Sequence, residues 1–145
     1  MAKLIKARTA QNVLSAEFIF NWNDTMVLAG GVETAFSTVA AHPVDVIPLP
    51  VGATLISGEV VTDTSFTGAT AVNVIVGDAT STNRYLGTTD KITAGRTALV
   101  PTGFKSTGEA IRLTVTPTVA ALTAGKATLR VQYTIEGRAN ENSLH

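Results

Sequence analysis

Residues 129–136 read Leu-Arg-Val-Gln-Tyr-Thr-Ile-Glu, and residues 111–116 read Ile-Arg-Leu-Thr-Val-Thr. In both stretches an apolar residue alternates with Arg, Thr, Gln or Glu at strict period two. Successive side chains of a strand point to opposite faces, so each stretch can bury one apolar row and leave the polar row outside. Both are therefore read as half-buried antiparallel strands.

Working outward, Pro117 is expected to end the strand that begins at Ala110, and Pro101-Thr102-Gly103 to turn the chain toward Phe104. Thr97 to Val100 is a strand candidate. Thr88 to Gly95 reads as a loop holding one helical turn around Thr89 to Ala94, stopped by Gly95. Arg84 to Leu86 is a short strand, preceded by a polar loop over Ala79 to Asn83. Residues 71–77 and 54–63 are strands joined through a turn at Gly68, with Gly58 inviting a bulge in the earlier one. The Pro-punctuated stretch His42 to Val51 suits an edge or a connecting strap, because Pro43, Pro48 and Pro50 cannot donate to a central ladder. Val32 to Val39 is a candidate strand after the break at Gly30-Gly31. Ser15 to Trp22 is the first strand, with Phe18, Phe20 and Trp22 on one face, ending at Asn23-Asp24. About eight short strands with Gly and Pro between them describe an all-β antiparallel sandwich of jelly-roll or Greek-key type. The expected organisation is an amino-terminal arm over 1–15, one sandwich domain over 16–137 and a tail over 138–145.

A chain of 145 residues can bury roughly 70% of the surface its unfolded form exposes, so it needs neither disulfide nor metal for stability. Charged residues make up only 15% of it, against about 25% in typical domains. Part of the surface is then expected to be covered by protein, as in a homo-oligomer or a lattice, although 23 Thr offer an alternative polar exterior. Eleven cations balance eleven anions, so no overall field favours nucleic acid or anionic lipid, and neither is expected as a partner. No apolar run is long enough to span a bilayer, and the opening MAKLIKARTAQNV lacks the apolar core of a secretion signal. Synthesis in a cytoplasm is expected.

Chemistry has little to build on. The loop Gly77-Asp78-Ala79-Thr80-Ser81-Thr82-Asn83-Arg84-Tyr85 gathers oxygen ligands, but only one carboxylate, too few for a calcium site. Asp78 and Asn83 are expected to cap the turn instead, with Asp78 meeting Arg84. His42 and His145 have no acidic or Cys companion at ligand spacing. Ser57 and Ser65 have no nearby His to act as base. No enzyme, catalytic residue, metal or cofactor is expected.

The run Gly77-Asp78-Ala79 to Arg84-Tyr85-Leu86, then Ala94 to Phe104, Ile111 to Pro117, and Leu129 to Asn142 with its ending Glu136-Gly137-Arg138-Ala139-Asn140-Glu141-Asn142, resembles small virion structural proteins of tailed bacteriophages. Within them it is most like a capsid decoration, or cement, protein. The likeness spans roughly residues 50 to 142. It implies a β-rich homotrimer on the outer capsid surface, bound to the major capsid protein and stabilising the shell, with many weak contacts summed by multiple attachment. On that reading the arm, through Lys3, Leu4, Ile5, Lys6 and Arg8, is the expected capsid contact, and Arg138, Asn140 and Glu141 the expected intersubunit contact. Two other readings are a receptor- or glycan-binding virion module, which needs an exposed aromatic beside convergent polar groups, and a head-to-tail or tail component.

Overall fold

The computed structural model describes residues 12–136. Ten strands occur in chain order: β1 (Leu14–Asn21), β2 (Thr25–Val27), β3 (Glu33–Ala35), β4 (His42–Ile47), β5 (Ala53–Thr67), β6 (Ala71–Gly77), β7 (Leu86–Asp90), β8 (Gly95–Ala98), β9 (Ile111–Thr118) and β10 (Ala124–Ile135). Eight of them build two four-stranded antiparallel sheets, ordered β1-β10-β5-β8 and β4-β9-β6-β7; β2 and β3 form a separate hairpin.

The order follows from one long ribbon folded on itself. Strand β1 pairs with β10, β4 with β9, β5 with β8 and β6 with β7, so the two halves of the chain run back along each other from a turn between β6 and β7. Wrapping that ribbon brings β10 beside β5 and β9 beside β6, which completes both sheets. This is the jelly-roll arrangement.

The inner faces meet in a single apolar core. Phe20, Leu55, Val60, Leu129 and Val131 come from the first sheet, and Val44, Val72, Val74, Ile111, Leu113 and Val115 from the second. The alternating rows that mark the two carboxyl-proximal strands are therefore the inner rows of β9 and β10, each a central strand of its sheet. Phe20 lies 5.1 Å from Phe36 and 6.3 Å from Phe66 between ring centroids, so aromatic rings fill the sandwich near the β2–β3 hairpin.

Several boundaries differ from expectation for physical reasons. The candidate strand Val32 to Val39 shrinks to Glu33–Ala35, and Val32 and Val39 are exposed. Residues 89–94 form no helical turn: the chain stays extended to Asp90, and the strand expected over Arg84 to Leu86 runs instead over Leu86–Asp90. Pro117 does not end β9. It stands opposite Val72, whose N–H bonds the Asp90 carboxylate and whose carbonyl accepts from Lys91, both on the far side of β6. Val72 thus offers Pro117 no ladder bond to lose, and β4 begins at His42, opposite Val115, so no β4 residue faces Pro117 either.

Gly58 marks a different feature from the expected one. The extra residue of β5 nearest Gly58 is Ile56, between Leu55 opposite Tyr133 and Ser57 opposite Gln132, and two further register shifts follow between Thr62 and Thr67. At Gly58 a Cβ would meet Leu99 Cδ1 at 2.6 Å and the Arg130 carbonyl at 2.7 Å, so glycine is there to let Leu99 cross the strand. Gly58→Ala is expected to cost about 2 kcal/mol of stability through overpacking, read as a fall of several degrees in thermal midpoint; an unchanged midpoint would mean that Leu99 packs elsewhere.

Candidate functional site

A role for this fold has to be sought on its surfaces. On the outer face of the first sheet, β1, β10 and β5 place Glu17, Arg130 and Glu59 in one register row. Arg130 Nε donates to Glu17 Oε2 at 3.0 Å, Arg130 reaches Glu59 at 3.6 Å, and Arg96 Nε of β8 donates to Glu59 Oε2 at 2.5 Å. Four charges of alternating sign thus cross all four strands, ending on an acid at the β1 edge. Beside them Ser57 donates to the Gln132 side chain at 2.6 Å. Period-two alternation places these side chains outside but does not show which strands are neighbours, so the row was not legible in the sequence.

The outer face of the second sheet is nearly uncharged. Thr114, Thr116, Asn73, Ile75, Ala71 and Pro43 occupy it by register, with one ion pair, Arg112 Nε to Asp45 Oδ1 at 2.8 Å, toward one end and Asp90 of β7 beside Asn73.

Loops at the β6–β7 end hold the main polar cluster. Asp78 is buried, and its carboxylate accepts the backbone N–H of Thr80 and Ser81 at 2.9 and 2.7 Å and the Nε–H of Arg84 at 2.5 Å. Gly77 permits this turn, because a Cβ there would strike the Ser81 and Thr82 backbone. The Arg84 guanidinium lies 3.5 Å from the Phe104 ring centroid, a cation–π contact. Thr80 donates to Glu109 at 2.9 Å. The expected Asp78–Arg84 contact is present, whereas the Asn83 side chain accepts from Ser81 at 3.4 Å and takes no backbone bond in the turn. Burial, the largest single influence, pushes the Asp78 carboxyl up, but the hydrogen bonds from Arg84, Ser81 and Thr80 and the Arg84 charge together outweigh it and hold it below its ordinary value.

The opposite end is apolar. Val39-Ala40-Ala41 and Val119-Ala120-Ala121 are exposed on two loops tied by the Leu122 N–H to Ser37 carbonyl bond at 2.9 Å. Among the described residues, Val119 alone of the non-glycines has a positive φ, at 73°, a conformation that is strained for a β-branched side chain.

The remaining candidates resolve into structural parts. His42 is fully buried; its Nδ1 donates to the Val115 carbonyl at 2.9 Å and its Nε2 meets the Thr38 hydroxyl at 2.8 Å. Ser65 accepts the Ala94 N–H. Among the described residues no three His, Asp or Glu side chains are placed to hold a metal. All eight aromatic side chains fall among these residues, and each is buried or half-buried, so the exposed aromatic that a glycan site needs is missing from them. Lys91 is buried, with Nζ bonded to the Gly95 carbonyl at 3.0 Å and the Thr97 hydroxyl at 3.1 Å. Nothing in its polar surroundings signals that burial in the sequence. Lys3, Leu4, Ile5, Lys6 and Arg8, like Arg138, Asn140 and Glu141, lie outside the described residues.

No protein-family model matches the sequence, and no curated protein matches it. Solved structures do. The chain is similar to one in the cyanophage Pam1 capsid asymmetric unit, at 20% identity and TM-score 0.59 over 93% of this chain and 92% of that one. A chain of the acidic stable capsid of Helicobacter pylori bacteriophage KHP30 matches at 18% identity and TM-score 0.59, over 86% of this chain and 88% of that one. A chain of the Ralstonia phage GP4 capsid matches at 13% identity and TM-score 0.57, over 95% and 93%. At these identities the shared property is the fold.

The Asp78 cluster generates a pH prediction. A carboxyl held below its unfolded value adds stability that is complete above the unfolded pKa, about 3.9, and is lost as pH falls through the lower folded value. Asp78→Asn is expected to cost about 3 kcal/mol at neutral pH, by leaving Arg84 unpaired. It should also flatten the decline in thermal midpoint below about pH 4; equal declines in both proteins would contradict the assignment.

Proposed function

We propose that this protein is a structural component of a tailed-phage virion that binds the outside of the capsid, contacts the major capsid protein and stabilises the shell as a homotrimer. One observation carries the reading: three phage capsid structures contain chains that match this fold over most of its length. The surfaces support it. The neutral Thr-rich face of the second sheet and the apolar loop end are suited to protein contact and carry little that would bind an ionic ligand. Such contacts are individually weak, and repetition over a closed shell makes them effective. No chemical step is needed.

Quantitative protein analysis of purified particles tests this. Copies on the order of hundreds per particle are expected, whereas about six or twelve would assign the chain to a ring in the neck or tail, and absence from particles would refute a virion role. Particles stripped of the protein should disrupt at lower temperature and recover on adding it back.

A further inference from the structure

A sheet edge is a row of unpaired backbone donors and acceptors, and proteins guard such edges with Pro, bulges or short strands. Three of the four edges here are guarded. Strand β4 carries Pro43 and an irregularity between Asp45 and Ile47; β7 has five residues and pairs through an irregularity between Val74 and Val76; β8 has four residues. Strand β1 is different. It runs eight residues, Leu-Ser-Ala-Glu-Phe-Ile-Phe-Asn, in unbroken register with β10 and without Pro, Gly or Lys.

The orientation of its backbone can be fixed. Asn21 N–H donates to Asp24 Oδ2 at 2.8 Å and its carbonyl accepts the Asp24 N–H at 3.2 Å, while Trp22 N–H turns to the Gly125 carbonyl beside β10. By the alternation of an antiparallel pair, Ile19, Glu17 and Ser15 present their backbone groups to the same open side as Asn21. Asp24 closes that side only at Asn21. Among the described residues nothing bonds the others there. The row of alternating charges also stops at this edge on Glu17, whose side chain is 47% exposed.

We propose that the edge of β1 is completed by the amino-terminal segment of a second copy, residues 1–11, added as a further strand. Three features of the sequence select this occupant. The segment contains Lys3, Lys6 and Arg8 and no acid, and the first acid of the chain is Glu17 itself; a cation beside Glu17 extends the alternation by one step. In a strand Ile5 and Ala7 fall on one face and Lys6 and Arg8 on the other, so Ile5 and Ala7 can cover the half-buried Leu14, Ala16 and Phe18 on the inner face of β1 while Lys6 or Arg8 stands outside beside Glu17. No Gly occurs before Gly30 and no Pro before Pro43, so the Gly-containing two-residue turns that most readily close a hairpin are absent ahead of β1, where Asn12 is the one turn-forming residue. Extended, 11 residues reach about 36 Å, enough to leave the parent sandwich. Arm to edge is a heterologous contact, which closes when three copies are related by a three-fold axis. The inference rests on and deepens the trimer part of the proposed function, and it assigns the arm to a neighbouring copy in place of the capsid contact that the resemblance implied.

Complementation tests it. Full-length protein, a form lacking residues 1–11, and full-length Glu17→Lys are compared by sedimentation velocity, with circular dichroism as the check on folding. The intact chain should form an oligomer, and each altered chain alone should be a folded monomer or associate at least ten-fold more weakly. Mixed, they should form a one-to-one complex, because the first offers an intact edge and the second an intact arm. Reversing Lys3, Lys6 and Arg8 to Glu in the Glu17→Lys chain should restore its self-association. The proposal is overturned if the shortened chain keeps the oligomer, if the mixture stays monomeric, or if the shortened chain fails to fold, which would make the segment part of its own core. Glu17→Gln provides a milder edge change, expected to weaken association less than Glu17→Lys. These outcomes do not depend on particle content, so a protein absent from virions could still exchange arms, and a virion protein could fail to.

Discussion

The contact between the inner faces of β10 and β9 with their neighbours holds the molecule in one shape. Leu129 and Val131 on one side and Leu113 and Val115 on the other are fully buried, and each lies on a central strand, so β1 and β5 are placed by their register to β10, β4 and β6 by theirs to β9, and β8 and β7 follow through β5 and β6. A slip of one residue in β10 would turn Arg130 and Gln132 inward and Leu129 and Val131 outward. Burying an Arg there without a partner would cost several kcal/mol, which is what fixes the register against such a slip. The jelly-roll order is then the wrapping of one ribbon around that pair.

The fixed register gives each outer face its character. The first sheet carries an alternating row of Glu17, Arg130, Glu59 and Arg96, and the second carries Thr and Asn with a single ion pair and Asp90. Exposed ion pairs contribute little stability individually, so the row matters more as a pattern that a neighbour can continue. The two ends differ in the same way, one organised by buried Asp78 and the other by exposed Val and Ala. A small sandwich with distinct faces, ends and edges can meet several neighbours at once without confusing them. That capacity suits the shell role proposed for the chain.

The fold class and the inner rows of β1, β6, β9 and β10 were legible because they depend on local alternation. The Asp78–Arg84 pair was legible because both residues sit in one loop, six positions apart. What escaped depends on contacts distant in sequence. The bulge nearest Gly58 lies at Ile56, and Gly58 serves Leu99, a relation set across 41 positions that no local rule carries. Pro117 continues β9 because its neighbour Val72 directs its hydrogen bonds the other way, a fact of the sheet and not of the proline. The open edge of β1 is of the same kind, since only the sheet order shows that nothing described lies beyond it.

Residue-resolved amide hydrogen exchange, comparing the isolated protein with the protein on particles, tests the account most directly. The account predicts that amides of β9 and β10 are slow in both states, that the Ser15, Glu17 and Ile19 amides are already protected in the isolated oligomer and lose that protection when residues 1–11 are deleted, and that assembly adds protection at the exposed loop ends. Exchange that is unchanged between the two states, or a gain confined to strands already central in the sheets, would contradict it.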